Sequence, residues 1–340
     1  MSTRLLNLAA VLLATLSLAG AARAQAVEKK DVRLGVGGAS ALYYLPLALT
    51  DKLGFFKAQG LNVEINDFKG GSQSLAALVG GSVDVVAGAY EHTLRMQAKG
   101  QDIVAVIELG RYPGITLAVR KDRTDKIKSF ADLKGAKIGV TAPGSSTNMI
   151  AQFLMIKNGL KADDAAFVGV GAGASAVAAI ERGEIDAIAN VDPVIAKLEA
   201  SGKVVVMADT RTTEGSDKVF GGTMSAAVAY LKRDFLAANP NTVQALVNAF
   251  YQTLQWMQKA SPEQIADSVP QEYWLSDKPL YVAALKADLQ VYSRDGVVSA
   301  GSRARSLSFL QQLDKEIAGA RIDPAKTWDG RFVEAAAKRN

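Results

Sequence analysis

"KIGVTAPGSSTNMIAQFL" (residues 137–154) and "VRLGVGGASALYYLPLAL" (residues 32–49) are two versions of one pattern: an apolar strand, a loop of small residues and a helix. The likeness continues downstream. "GGSQSLAALVGGSVDVVAGAY" (Gly70 to Tyr90) matches "GAGASAVAAIERGEIDAIANVD" (Gly171 to Asp192), which sets Gly81 and Asp84 against Gly183 and Asp186. The links agree as well, since "QGLNVEINDF" and "NGLKADDAAFVGV" both lead from a helix through Gly-Leu into a strand. The chain therefore holds an internal duplication at an offset of roughly a hundred residues.

Strand, helix and strand in alternation form the βαβ unit of a parallel sheet, and ligands of such sheets sit at the carboxyl ends of the strands. Two units predict an α/β protein of two lobes, each a parallel-rich sheet flanked by helices. The cleft between their facing loops is the default site. "GITLAVRKD" (Gly114 to Asp122) and "MSAAVAYLKRD" (Met224 to Asp234) read as two crossover strands, one entering the second lobe and one returning. That assigns residues 27–117 and 226–340 to lobe 1 and residues 118–225 to lobe 2. Two connections make a hinge. Beyond Asp234 the pattern is helical. Asn239-Pro240 opens a helix with Val243, Leu246, Val247, Phe250, Leu254 and Met257 on one face, and Ser261-Pro262-Glu263-Gln264 starts another with a capping box. Helices are also expected in "PLYVAALKADLQVYS" and "ARSLSFLQQLDKEI". This tail is expected to pack behind the first lobe.

The 340 residues, 49% of them apolar, suffice for two cores. Residues 1–24 read as a cleavable secretory signal, with Arg4, an apolar run from Leu5 to Leu18 and the small-x-small motif Ala22-Arg23-Ala24. A retained anchor is disfavoured, because the run falls short of the ~20 residues a span needs. Removal of that segment leaves 37 basic against 34 acidic residues, a net charge of +3 that is too small and too dispersed for nucleic acid.

Several catalytic readings close by inventory. The chain has no cysteine and one histidine, His92, which excludes disulfides and leaves zinc only carboxylates. Neither a G-x-S-x-G elbow nor a Walker A sequence occurs. "GVGAGAS" (Gly169 to Ser175) looks like a dinucleotide fingerprint, yet Gly70-Gly71 fills the same turn in the other copy and no acidic residue follows at the required place. No metal and no cofactor is expected, nor an enzyme.

Ser145, Ser146 and Thr147 stand at the mouth of a helix. Capping alone would explain them. Three hydroxyls, free N–H groups and the positive helix end together would also cradle an anion.

"DLKGAKIGVTAPGSST", "FVGVGAGASAVAAIERGEIDA" and "LGFFKAQGLNVEI" resemble periplasmic solute-binding proteins of ABC importers in the nitrate, sulfonate and taurine group. That group is also similar to binding proteins and synthases for thiamine pyrimidine precursors. The resemblance runs from about Val32 to the late helices. It implies a two-lobe periplasmic-binding-protein fold (type II-like) that closes on one small molecule. The expected protein is a periplasmic monomer whose partners are a small-molecule ligand and a membrane permease with its ATPase subunit.

Ligand contacts implied by the resemblance fall on Ser40, Tyr43 and Tyr44, on Ser72 and Gln73, and on Tyr90, Glu91 and His92. In the second copy they fall on Gly144, Ser145, Ser146, Thr147 and Asn148, and on Asn190 and Asp192. Both arguments meet on loops that follow strands, which favours the anion cradle. Glu91, His92 and Asp192 suit a ligand that also carries a donor, such as an amine or ring N–H. Tyr43, Tyr44 and Tyr90 offer faces for stacking, and Arg111 offers a two-pronged cation. The expected ligand is a small organic anion or zwitterion: a sulfonate, a taurine-like molecule, an aromatic carboxylate or a pyrimidine. An exported enzyme using His92 and a ligand-sensing subunit are the alternatives.

Overall fold

The computed structural model describes residues 26–339; the segment read as a secretory signal lies outside the described residues. The strands are Asp31–Val36 (β1), Asn62–Asp67 (β2), Val85–Ala89 (β3), Ile103–Glu108 (β4) and Thr116–Arg120 (β5). Lys137–Val140 (β6), Ala166–Gly169 (β7), Ala187–Asn190 (β8), Val204–Asp209 (β9) and Ala227–Lys232 (β10) follow. They form two five-stranded sheets, ordered β2-β1-β3-β10-β4 and β7-β6-β8-β5-β9. In each sheet one strand is antiparallel to its neighbours, β10 in the first and β5 in the second.

Those two odd strands are the segments read as crossovers. Each belongs wholly to one sheet, and the chain passes between lobes in the stretches before them, residues 109–115 and 210–226. Strands β3 and β4 are buried along their whole length, as expected of apolar runs covered by helices on both faces.

The duplication holds down to single hydrogen bonds. The Asp84 N–H donates to the Arg33 carbonyl (2.8 Å), and the Arg33 N–H donates back to Asp84 Oδ2 (2.9 Å). Asp186 and Lys137 exchange the same pair at 2.8 and 3.0 Å. Gly81 and Gly183 close the helices ahead of these aspartates with φ of 78° and 71°, a region that favours glycine.

Helices begin where the strands end: Leu45–Lys52 (α1), Gly71–Val79 (α2) and Glu91–Ala98 (α3) on the first sheet. Ser146–Lys157 (α4), Ala174–Glu181 (α5) and Val194–Ala200 (α6) follow on the second. Because each follows a strand, the N-termini of α2 to α5 point toward the opposite lobe.

The tail contains the helix Pro240–Met257, with all six expected apolar positions buried, and a capping-box helix at Pro262–Asp267. Helices Lys278–Asp288 and Ala300–Leu313 follow. Its docking differs from the expectation, because it packs against both lobes. Phe309 of the last of these helices meets Phe153 of α4 and Phe220 of the second lobe, with ring centroids 5.0 and 5.7 Å away. Lys197 of α6 pairs with Asp277 at 3.4 Å. The tail thus covers apolar side chains of α4 and α6, Phe153 and Ala196 among them.

Candidate functional site

The lobes meet along the loops that precede α2, α3, α4 and α5. Gly37, Tyr43, Tyr44 and Gly71 form one wall, and Thr141, Ser145, Ser146, Thr147 and Ala172 form the other. A Cβ on Gly37 would lie 2.3 Å from the Gly71 nitrogen, so only glycine lets these two loops touch. The space between the walls is about 20 Å³, room for about one water molecule. Anything larger enters only when the lobes part.

Contacts across the cleft are polar. The Ser72 N–H donates to Ser145 Oγ (3.0 Å), and Ser72 Oγ donates to the Pro143 carbonyl (2.9 Å). Arg95 Nη1 donates to the Gly144 carbonyl (3.1 Å), and the Leu42 N–H donates to the Asp192 carbonyl (2.8 Å). Ser146 Oγ donates to Glu91 Oε1.

These contacts change the reading of the hydroxyl row. Ser145 is the N-cap of α4, but its side chain makes no cap bond to that helix. It accepts instead from Ser72, the second residue of α2, whose own N-cap is the side-chain-less Gly70. One lobe thus caps a helix of the other. Thr147 Oγ1 accepts from the Thr141 N–H (3.0 Å) and shapes its own loop.

Glu91 and His92 are buried at the foot of α3. Burial raises the Glu91 pKa, against the opposing hydrogen bond from Ser146. Burial, with Arg95 adding to it, lowers that of His92 to about 3, so the imidazole is neutral. His92 Nδ1 lies 3.2 Å from the Tyr230 hydroxyl, while Nε2 is buried with no partner. Asn148 accepts from the Gly144 N–H through Oδ1 (2.8 Å) and leaves Nδ2 buried and unpaired. Tyr43 and Tyr44 pack edge to face, 4.7 Å apart. Ser40 is half-buried with its hydroxyl toward Gly173 of the opposite lobe.

The side chains of the other candidates sit elsewhere. Tyr90 is fully buried and hydrogen-bonded to Thr327 of the tail (2.6 Å), so its ring faces the core of lobe 1. Gln73 is exposed and accepts from the Lys69 N–H. Arg111 donates to the Gln290 carbonyl and lies over the Tyr112 ring. Asn190 donates to the Gly171 carbonyl and accepts from the Val191 N–H, which sets a loop rather than facing the cleft. Asp192 has a fully buried side chain paired with Arg211 (3.2 Å) and with the Ala196 N–H.

Arg95 is a cation that does reach the seam. Its signal was its place four residues after Glu91, one helical turn on the same face. Tyr230 and Arg211 carried no local signal, because each reaches its partner only through the tertiary fold.

The NMT1/THI5-like family model matches residues 42–265, and the chain belongs to that family. A solved structure from Bordetella bronchiseptica RB50 is 48% identical, with a TM-score of 0.91 over 93% of this chain and 99% of its own. The alkanesulfonate-binding protein SsuA of Xanthomonas axonopodis pv. citri, bound to MOPS, shares the fold at 22% identity (TM-score 0.67, 90% of this chain and all of its own). So does the periplasmic nitrate-binding protein NrtA of Synechocystis PCC 6803, at 16% identity (TM-score 0.71, 93% and 90%). Among curated relatives, the 4-amino-5-hydroxymethyl-2-methylpyrimidine phosphate synthase of Aspergillus parasiticus is 30% identical over 61% of this chain and 60% of its own.

Proposed function

We propose that this protein is a periplasmic solute-binding component that captures a small organic anion or zwitterion between its lobes and delivers it to an ABC importer. The observation that carries this reading is the convergence of α2 and α4 N-termini, from opposite lobes, on a cleft walled by hydroxyls and two tyrosines. Backbone N–H groups at helix starts bind anionic groups without a basic side chain. None of the residues lining the space is basic. Asn148, in the first turn of α4, holds a further unpaired donor in Nδ2. The MOPS held by the Xanthomonas protein carries both a sulfonate and a ring amine, the combination that the acids and donors near this cleft favour.

Calorimetric titration with MOPS, taurine, nitrate and a methylpyrimidine tests the reading. One of the organic solutes should bind reversibly and be recovered unchanged. At a hundred times its dissociation constant it should stabilise the fold by about 2.7 kcal/mol. Failure of every organic solute, with nitrate alone binding, would return the site to simple anions. Replacing Ser145 and Ser146 together by Ala should weaken binding at least tenfold, as the lost hydrogen bonds to a charged group cost about 1.5–3 kcal/mol each. Unfolding should shift by no more than about 0.5–2 kcal/mol, the cost of the one cap that Ser145 gives to α2 of the other lobe. A collapse in melting temperature with affinity retained would oppose the assignment.

The relation to the pyrimidine synthase supports a second reading, an enzyme in which the unpaired His92 Nε2 acts on a bound molecule. Chemical change of the recovered solute would favour it.

A further inference from the structure

The Glu91 carboxyl occupies an unusual position at the seam. Its side-chain hydrogen bond comes from Ser146, a residue of the opposite lobe. The other groups facing it are neutral or remote. Tyr43 and Tyr44 approach from the turn before α1, and Tyr230 approaches from β10. His92 and Arg95 lie on its own helix: His92 is uncharged, and Arg95, though turned to the Gly144 carbonyl, favours the charged carboxylate from a distance without overcoming burial. Asp67 acts on Tyr44 from the end of β2. No cation is bonded to the carboxylate in the closed arrangement. Parting the lobes would remove the Ser146 hydrogen bond and give water a path to the same oxygens.

We propose that Glu91 is a proton-linked clasp: closing the lobes over it takes up one proton, so closure weakens as pH rises. The inference concerns the same cleft as the proposed binding function but stands without a solute.

The thermodynamics follow from burial. In the open form, with water at the carboxyl, Glu91 returns toward the ordinary range of a hydrated carboxylate. In the closed form desolvation disfavours the charged state and the pKa rises. Below about pH 4.5 both forms hold the proton and closure carries no penalty. Between the open-form and closed-form values the open form has lost the proton and the closed form keeps it. The closed-to-open ratio therefore falls by as much as about tenfold per pH unit, and it levels off above the closed-form pKa.

The test measures the interlobe distance in the full chain with no solute added. The chain lacks cysteine, so spin labels can be placed at Glu64→Cys and Val168→Cys, exposed positions on the edge strands β2 and β7. From pH 4 to 8 the population should move toward longer distances. With Glu91→Gln added, the amide keeps an acceptor for Ser146 and cannot ionise, so the population should not vary with pH. With Ser146→Ala instead, the lobes should be more open at each pH while the pH dependence persists. That second variant keeps the test valid if Glu91→Gln fails to fold. A pH-independent distance in the parent would overturn the proposal. So would an unchanged pH dependence in Glu91→Gln, which would move the effect to another buried acid such as Asp192 or Asp288. Solute titrations that fail while this pH response holds would reject the transport reading and keep the clasp.

Discussion

Arg211→Met should destabilise the protein by about 3–5 kcal/mol, the cost of removing one partner from a buried ion pair. Arg211 holds Asp209 through Nε and Nη2 (3.0 and 2.7 Å) and reaches Asp192 and Glu199 through Nη1 (3.2 and 3.0 Å). Asp192 has no exposed side-chain surface, and Asp288 of the tail lies buried beside the same group. Burial and then Asp192 push the Asp288 pKa well up. One guanidinium therefore offsets several acids where lobe 2 meets the tail. Without it, Asp192 keeps only the Ala196 N–H and must be buried as an unpaired charge or take up a proton. Since the folded state would then bind the proton more tightly than the unfolded state, the deficit should shrink as pH falls toward 4. Urea unfolding at pH 7.5 and 5 measures both effects. Adding Asp192→Asn to Arg211→Met should recover part of the loss. Additive effects of the two changes would show that the pair is not coupled.

Phe309→Ala should cost a similar amount, about 3–5 kcal/mol, typical of a large buried ring replaced by a methyl group. Phe309 is 2% exposed and packs edge-on against both Phe153 and Phe220, which stack on each other at 5.8 Å. Aromatic pairs add about 0.5–1.5 kcal/mol beyond the area they bury. The ring is on the tail and its partners are on the second lobe, so the loss should also free the lobes to rotate. Chemical denaturation gives the stability change, and the spin-label distance gives the rotation. Phe309→Leu keeps most of the volume and should lose less than half as much. An Ala variant within 1 kcal/mol of the parent would show that the cavity closes by collapse and that the cluster does not hold the lobes.

The duplicated architecture was legible in the chain because its signals are local. Strand, glycine turn and aspartate recur within about twenty residues in each copy, and the Asp84 and Asp186 hydrogen bonds recur with them. The long helix at Pro240–Met257 was legible for the same reason, with one apolar face at helical spacing. The loops after the strands were placed at the cleft by the same topology.

Which side chains those loops turn inward was decided by the tertiary structure alone. Ser145 meets Ser72 and Ser146 meets Glu91 across 73 and 55 residues of sequence, and no periodicity links such positions. Tyr90 and Glu91 are neighbours in sequence, yet one turns to Thr327 of the tail and the other to the opposite lobe. Arg111 and Arg95 are alike as residue types, and only the packing of α3 against the Gly144 loop brings one of them to the seam. The tail's further contact with the second lobe was not legible, because its amphipathic faces specify that they must be covered, while shape and proximity between lobes decide what covers them.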